Sequence, residues 1–149
     1  MRAVVQRVRE ASVSVDGQIV GQIDHGLLVY LGVAAGDDGA DIEYIVAKVR
    51  DVRIFSDAEG KMNRSVQDEG GAVLLVSQFT LCGDVRKGRR PAFDGAEKPA
   101  EARQRYDETL AALRATGLPV SAGVFQADMQ VASVNDGPVT ILLDSSKLF

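Results

Sequence analysis

The sequence holds one cysteine, Cys82, one histidine, His25, no tryptophan and four prolines among 149 residues. A single cysteine excludes an intrachain disulfide and a cysteine-built metal cluster, and suits a reducing cytosol. A single histidine removes the usual base of a serine or cysteine triad. His25 precedes Gly26 in a tight turn and reads as a turn or surface residue. The net charge of -4 is too small and of the wrong sign for a chain that coats nucleic acid. The longest nearly apolar run, 26–36, is too short to span a bilayer, and 1–10 alternates charged and apolar residues without the core of a signal peptide. No G-x-G-x-x-G or Walker pattern occurs. Asp37, Asp38 and Asp41 lack the glycine and terminal glutamate of a calcium loop and read as helix caps. The expectation is one domain over 1–149, cytoplasmic, with no metal, cofactor, membrane or DNA partner.

What is present is a β-rich pattern. Hydrophobic residues make up 46% and charged residues 26%, ordinary values for a packed core. Segments 3–8 and 11–15 are valine-rich, and Asp16-Gly17 offers a two-residue hairpin turn before 18–23. The run 27–33 is apolar without alternation, as in a strand covered on both faces. Ile42, Ile45, Val46 and Val49 fall at helical spacing, with acidic residues early and Lys48 and Arg50 late. Gly70-Gly71 opens a buried strand over 72–79. A second helix begins near Pro99, carries Ala102, Tyr106, Leu110 and Leu113 on one stripe, and stops at Gly117 and Pro119. Segments 52–55, 120–124, 125–134 and 139–143 supply further strands. Short turns join most strands, which predicts an α+β fold: a mostly antiparallel rolled sheet or partly closed β-barrel with two covering helices.

Two stretches concentrate unusual chemistry. Ser77-Gln78-Phe79-Thr80-Leu81 ends a buried run. Asn135-Asp136-Gly137-Pro138-Val139-Thr140 places Gly-Pro between two β-prone segments, where the proline has no N–H for a ladder and the glycine tolerates geometries forbidden to other residues. Thr80 is the better-placed nucleophile candidate, yet nothing nearby supplies its base. Cys82 reads as a small packing residue. Between the stretches lies a long loop, 82–99, with the one strongly basic cluster: Arg86, Lys87, Arg89 and Arg90. Such a cluster is either a phosphate contact or a solvated loop, and its place just after 77–81 favours RNA.

Together these stretches resemble the motif pair of D-aminoacyl-tRNA deacylase, the D-tyrosyl-tRNA deacylase family. The likeness extends to Val5-Gln6-Arg7-Val8 with Ala11-Ser12-Val13, to Gly26-Leu27-Leu28-Val29, to Arg53-Ile54-Phe55-Ser56-Asp57-Ala58-Glu59-Gly60-Lys61-Met62-Asn63, to Arg90-Pro91-Ala92-Phe93 and to Phe125-Gln126-Ala127-Asp128-Met129-Gln130-Val131. Cys82-Gly83 and the tail 145–149 differ from the family pattern. The resemblance implies hydrolysis of the ester joining a D-amino acid, or glycine mischarged on tRNA-Ala, to tRNA, as chiral proofreading. It implies a homodimer with active sites at the subunit interface. Ser77, Gln78, Phe79 and Thr80 would form the catalytic stretch. Gly137 and Pro138, joined by a cis peptide, would reject L-substrates from across the interface. Arg7, Phe125, Ala127, Met129, Asn135 and Thr140 would line or support the pocket, and Arg86, Lys87, Arg89 and Arg90 would meet tRNA. Competing readings are a non-catalytic RNA-binding β module and a small-ester hydrolase using Thr80 or Cys82.

Overall fold

The computed structural model describes residues 1–148; Phe149, the last residue of the tail 145–149, lies outside them. Strand β1 (Arg2–Val15) organises the sheet. β2 (Gln18–Ile23) and β3 (Gly26–Gly32) follow one another along one of its edges, β2 against 11–15 and β3 against 2–8, both antiparallel. The hairpin into β2 turns at Asp16 and Gly17, φ 50° and 75°, as a two-residue turn demands. β8 (Gln130–Asp144) runs antiparallel along the whole of the other edge. β6 (Ala72–Ser77) joins β3 in parallel, and β7 (Val120–Ala122) joins β6 in parallel. The Ser121 hydroxyl donates to the Gln22 carbonyl at 2.9 Å, so β7 comes back against β2 and the mixed sheet nearly closes into a barrel. Phe55–Ser56 (β4) and Met62–Arg64 (β5) form a small separate hairpin.

Helix α1 (Gly39–Asp51) starts at Asp38, whose carboxylate accepts from the Ala40 N–H while Asp41 accepts from the Asp38 N–H. Asp37 accepts from the Ala34 N–H and from the Met1 ammonium. Asp38 and Asp41 thus cap the helix, as their spacing predicts, while Asp37 instead binds the Met1 ammonium and the 34–37 turn. Helix α2 (Pro99–Ala115) has proline in its first turn. The helices and one face of the sheet share a core containing Val5, Leu31, Ile45, Val49, Leu75 and Leu113. The other face buries Val8, Val13, Leu28, Leu74 and Val76 inside the roll. β3 and β6 are therefore apolar throughout because each is covered twice.

The structure refines four expectations. β1 is continuous, with Arg9 and Glu10 exposed at an irregularity in register rather than at a break. β3, β6 and β7 pair in parallel, because α1 and α2 make the crossovers between strands that a hairpin cannot. β6 stops at Ser77, where a 3-10 turn (Phe79–Cys82) takes over. Phe125 lies in a turn, and β8 begins at Gln130.

Candidate active site

The site grows from the way β6 is released by its neighbours. On the β3 side it stays held to its end, where the Gln78 N–H donates to the Leu31 carbonyl at 2.8 Å. On the β7 side the ladder ends at Leu75, whose carbonyl accepts from the Gly123 N–H at 2.9 Å. Beyond that point the two segments part. They enclose a cavity of ≈ 610 Å³. One wall is Val76, Ser77, Gln78 and Phe79; the opposite wall is Phe125, Gln126, Ala127 and Met129; α2 contributes Ala102 and Tyr106. Gln126 has φ 64°, a left-handed turn residue between Phe125 and Ala127.

The 3-10 turn matters chemically. A turn of this type leaves its opening N–H groups, those of Phe79 and Thr80, without partners inside the turn. Both residues are exposed; Phe79 lines the cavity, while Thr80 is not among its lining residues, and the Gln78 Nε2 donates to Thr80 Oγ1 at 2.5 Å. Gln78 spends its own N–H on Leu31, so of the three amides only the last two remain for a ligand. Cys82, buried with its Sγ 3.6 Å from the Val33 carbonyl, has its thiol pKa pushed up by burial and packs as expected. His25 lies outside this cavity, 3.6 Å from Glu69 and edge-on to the Phe55 ring.

The second stretch sits elsewhere on the same chain. Gln6 pairs with Thr140 and Val8 with Asn135, so Arg7 alone faces residues 136–139, which leave the ladder as a loop. Asn135 Nδ2 closes the neck by donating to the carbonyls of Arg7 (2.9 Å) and Val139 (3.0 Å). The Gly137-Pro138 peptide is cis, and both residues are exposed. Arg7 lies beneath: Nη1 donates to the Ile54 carbonyl at 2.5 Å, and Nε stands 3.1 Å from Asp136 Oδ2 without hydrogen-bond alignment, which leaves it buried and unbonded. Neither Arg7, Asn135, Gly137, Pro138 nor Thr140 lines the cavity of its own chain.

Residues 4–144 match the sequence model of the family described as D-Tyr-tRNA(Tyr) deacylase. This chain belongs to that family. It is 58% identical to the D-aminoacyl-tRNA deacylase of Desulfitobacterium hafniense and 56% identical to that of Desulfotalea psychrophila, over 149 residues and 100% of each chain. A solved structure titled c-Myc DNA Unwinding Element Binding Protein is similar at 42% identity and TM-score 0.92, covering 97% of this chain and 98% of that one. A probable eukaryotic D-amino acid tRNA deacylase, 20% identical with TM-score 0.79, covers 95% of this chain and 97% of that one and shares the fold. The chain is accordingly an enzyme, a hydrolase of the deacylase type.

In this deacylase the basic loop divides in two. Arg86 is held by Asp84 through Nε and Nη2, and that ion pair lowers the Asp84 pKa to about 2. Lys87, Arg89 and Arg90 are exposed and stand in no ion pair among the described residues. Phe93, at the far end of the loop, folds back edge-on to Phe79 at 5.0 Å between ring centroids and lines the cavity. Sequence reasoning did not place Phe93, Glu97, Ala102 or Tyr106 at the site. For Tyr106 a signal existed: a phenol on the buried stripe of a helix needs a polar partner inside.

Proposed function

We propose that this chain cleaves the ester linking a D-amino acid, or glycine, to the terminal ribose of tRNA, in the cytoplasm, and that residues 1–149 act as one unit in a homodimer. The observation that carries the reading is the pair of uncommitted N–H groups that open the 3-10 turn, that of Phe79, which lines the cavity, and that of its chain neighbour Thr80. An oxyanion forming on the ester carbonyl would accept from both; each such donor typically contributes about 2.7–4 kcal/mol to the transition state. Water adds to the carbonyl carbon, the C–O bond to the ribose breaks, and the proton leaves on the ribose oxygen. Because Thr80 Oγ1 accepts from Gln78, its proton is left to donate to a ligand and no base stands ready to take it, which favours an orienting role over a nucleophilic one. Cys82, buried and kept protonated, offers no competing nucleophile.

Chiral selection rests on rigid backbone. The loop 136–139 is exposed at Gly137 and Pro138, stitched at its neck by Asn135, braced by Arg7 and absent from the cavity of its own chain, which supports its use by a second copy. Carbonyls of Gly137 and Pro138 entering that copy's cavity would collide with an L side chain, while hydrogen or a D side chain points away. Thr140, bonded to Gln6 Nε2 at 3.1 Å, secures the strand beyond the loop. Lys87, Arg89 and Arg90 supply the free charge for phosphate. The test is deacylation of D-tyrosyl-, L-tyrosyl- and glycyl-tRNA by the purified protein. D and glycyl substrates should be hydrolysed and the L substrate spared; equal rates on both enantiomers would overturn the reading.

A further inference from the structure

We infer that Tyr106 is a positioning residue of the deacylase, a pin at the point where β6 and the segment after β7 part to form the cavity. The inference deepens the functional reading above and rests on it for its kinetic test. Tyr106 is 2% exposed, and its hydroxyl donates to the Leu75 carbonyl at 2.9 Å. That carbonyl is the last acceptor of the β6–β7 ladder and already receives the Gly123 N–H. One oxygen therefore ties three elements together: the strand leading to Ser77 and the 3-10 turn, the segment leading to Phe125, and α2.

The ring continues what the hydroxyl begins. It lines the cavity and packs on Phe125 with centroids 5.8 Å apart, so it spaces the two walls at their root. A small change of angle at this vertex moves the Phe79 and Thr80 amides relative to Phe125, Ala127 and Met129, and sub-ångström placement of oxyanion donors governs rate. Tyr106 does not exchange protons in this role. Burial pushes its pKa up to about 12, so it stays a neutral donor throughout the working range.

The experiment compares Tyr106→Phe and Tyr106→Leu with Thr109→Val, which removes a buried hydroxyl bonded only within α2, to the Arg105 carbonyl at 2.7 Å. Tyr106→Phe should lower kcat on D-tyrosyl-tRNA about tenfold with KM changed less than about twofold, and should narrow the D to L ratio. Its pH profile should keep the wild-type shape. Tyr106→Leu should be worse, and Thr109→Val should cost thermal stability without changing either kinetic constant. Hydrogen exchange of the intact proteins gives a readout without substrate: Tyr106→Phe should speed exchange in 76–80 and 123–129 while leaving β1 and β3 protected. Unchanged or uniformly raised exchange would overturn the pin. If the wild type failed to turn over while exchange rose locally, the functional reading would fall and the positioning role would stand.

Discussion

At the scale of single residues, the proposed chemistry falls to backbone atoms, and side chains aim them. Thr80 illustrates the division, because its hydroxyl accepts from Gln78 while its N–H is left uncommitted by the 3-10 turn. Thr80→Ala should therefore retain deacylation within about tenfold of wild type, far less than the roughly 10²–10³ loss typical of removing an oxyanion donor; single-turnover assays of the folded mutant would measure it, and complete loss would restore a nucleophilic Thr80. Gly137 is the opposite case. Its φ is +120°, and a Cβ would lie 2.8 Å from Val139 Cγ2 and 3.0 Å from Arg7 Nη2. Gly137→Ala should cost roughly 1–3 kcal/mol of stability and displace the loop from Arg7. Urea titration checks the first effect, and faster hydrolysis of L-tyrosyl-tRNA the second. The sequence already marked Gly137 as exceptional, since Gly-Pro inside a β-prone run has few uses. The family resemblance implied a supporting Arg7; the structure adds the space around the glycine, which Arg7, brought across from β1, helps to close.

At the scale of elements, the loop after the 3-10 turn and the start of β3 show how local rules meet tertiary constraint. Asp84 has its pKa held at about 2 by Arg86, a depressed carboxylate whose contribution is complete above the ordinary value near ~4 and is lost as pH falls toward about 2. Order at the Arg86 end of the loop should be independent of pH above roughly 4 and should be lost as pH falls on to about 2, as chemical shifts of 84–86 would report. Neutralising Lys87, Arg89 and Arg90 should raise KM for tRNA and flatten its dependence on salt by about one unit of slope for each phosphate no longer neutralised; Arg86, already paired, should matter less. In β3, Gly26 permits an approach to β6 so close that a Cβ would fall 1.9 Å from the Ala72 carbonyl oxygen. Gly26→Ala should therefore cost more than about 3 kcal/mol, since backbone cannot step aside as a side chain can; denaturant unfolding measures this. Apolar runs revealed that β3 and β6 are central. Their parallel pairing was not legible, because an unbroken hydrophobic run looks the same beside a parallel or an antiparallel neighbour.

At the scale of the whole molecule, the unpaired edge of β8 carries exposed Val134 (45%) and Leu142 (57%) on either side of the Gly-Pro loop. An apolar edge around a projecting loop is suited to a second copy. The proposed dimer should sediment at twice the 15.9 kDa of one chain, and dilution below its dissociation should abolish rejection of L-tyrosyl-tRNA. Sedimentation velocity with parallel assays would check both; a monomer that keeps its selectivity would remove the partner's loop from the site. Among the described residues no helix is long and apolar enough to cross a membrane.

By itself the sequence determined the two helices, the central apolar strands, the Asp38 cap, the Asp16-Gly17 turn and the two motif stretches, because each depends on neighbours within a few positions. Tertiary structure alone decided that β6 is freed after Leu75 and that Tyr106 and Phe93 reach the opening so formed. Those outcomes depend on where ladders end and which elements meet across space, and the order of residues along the chain carries no separate record of either.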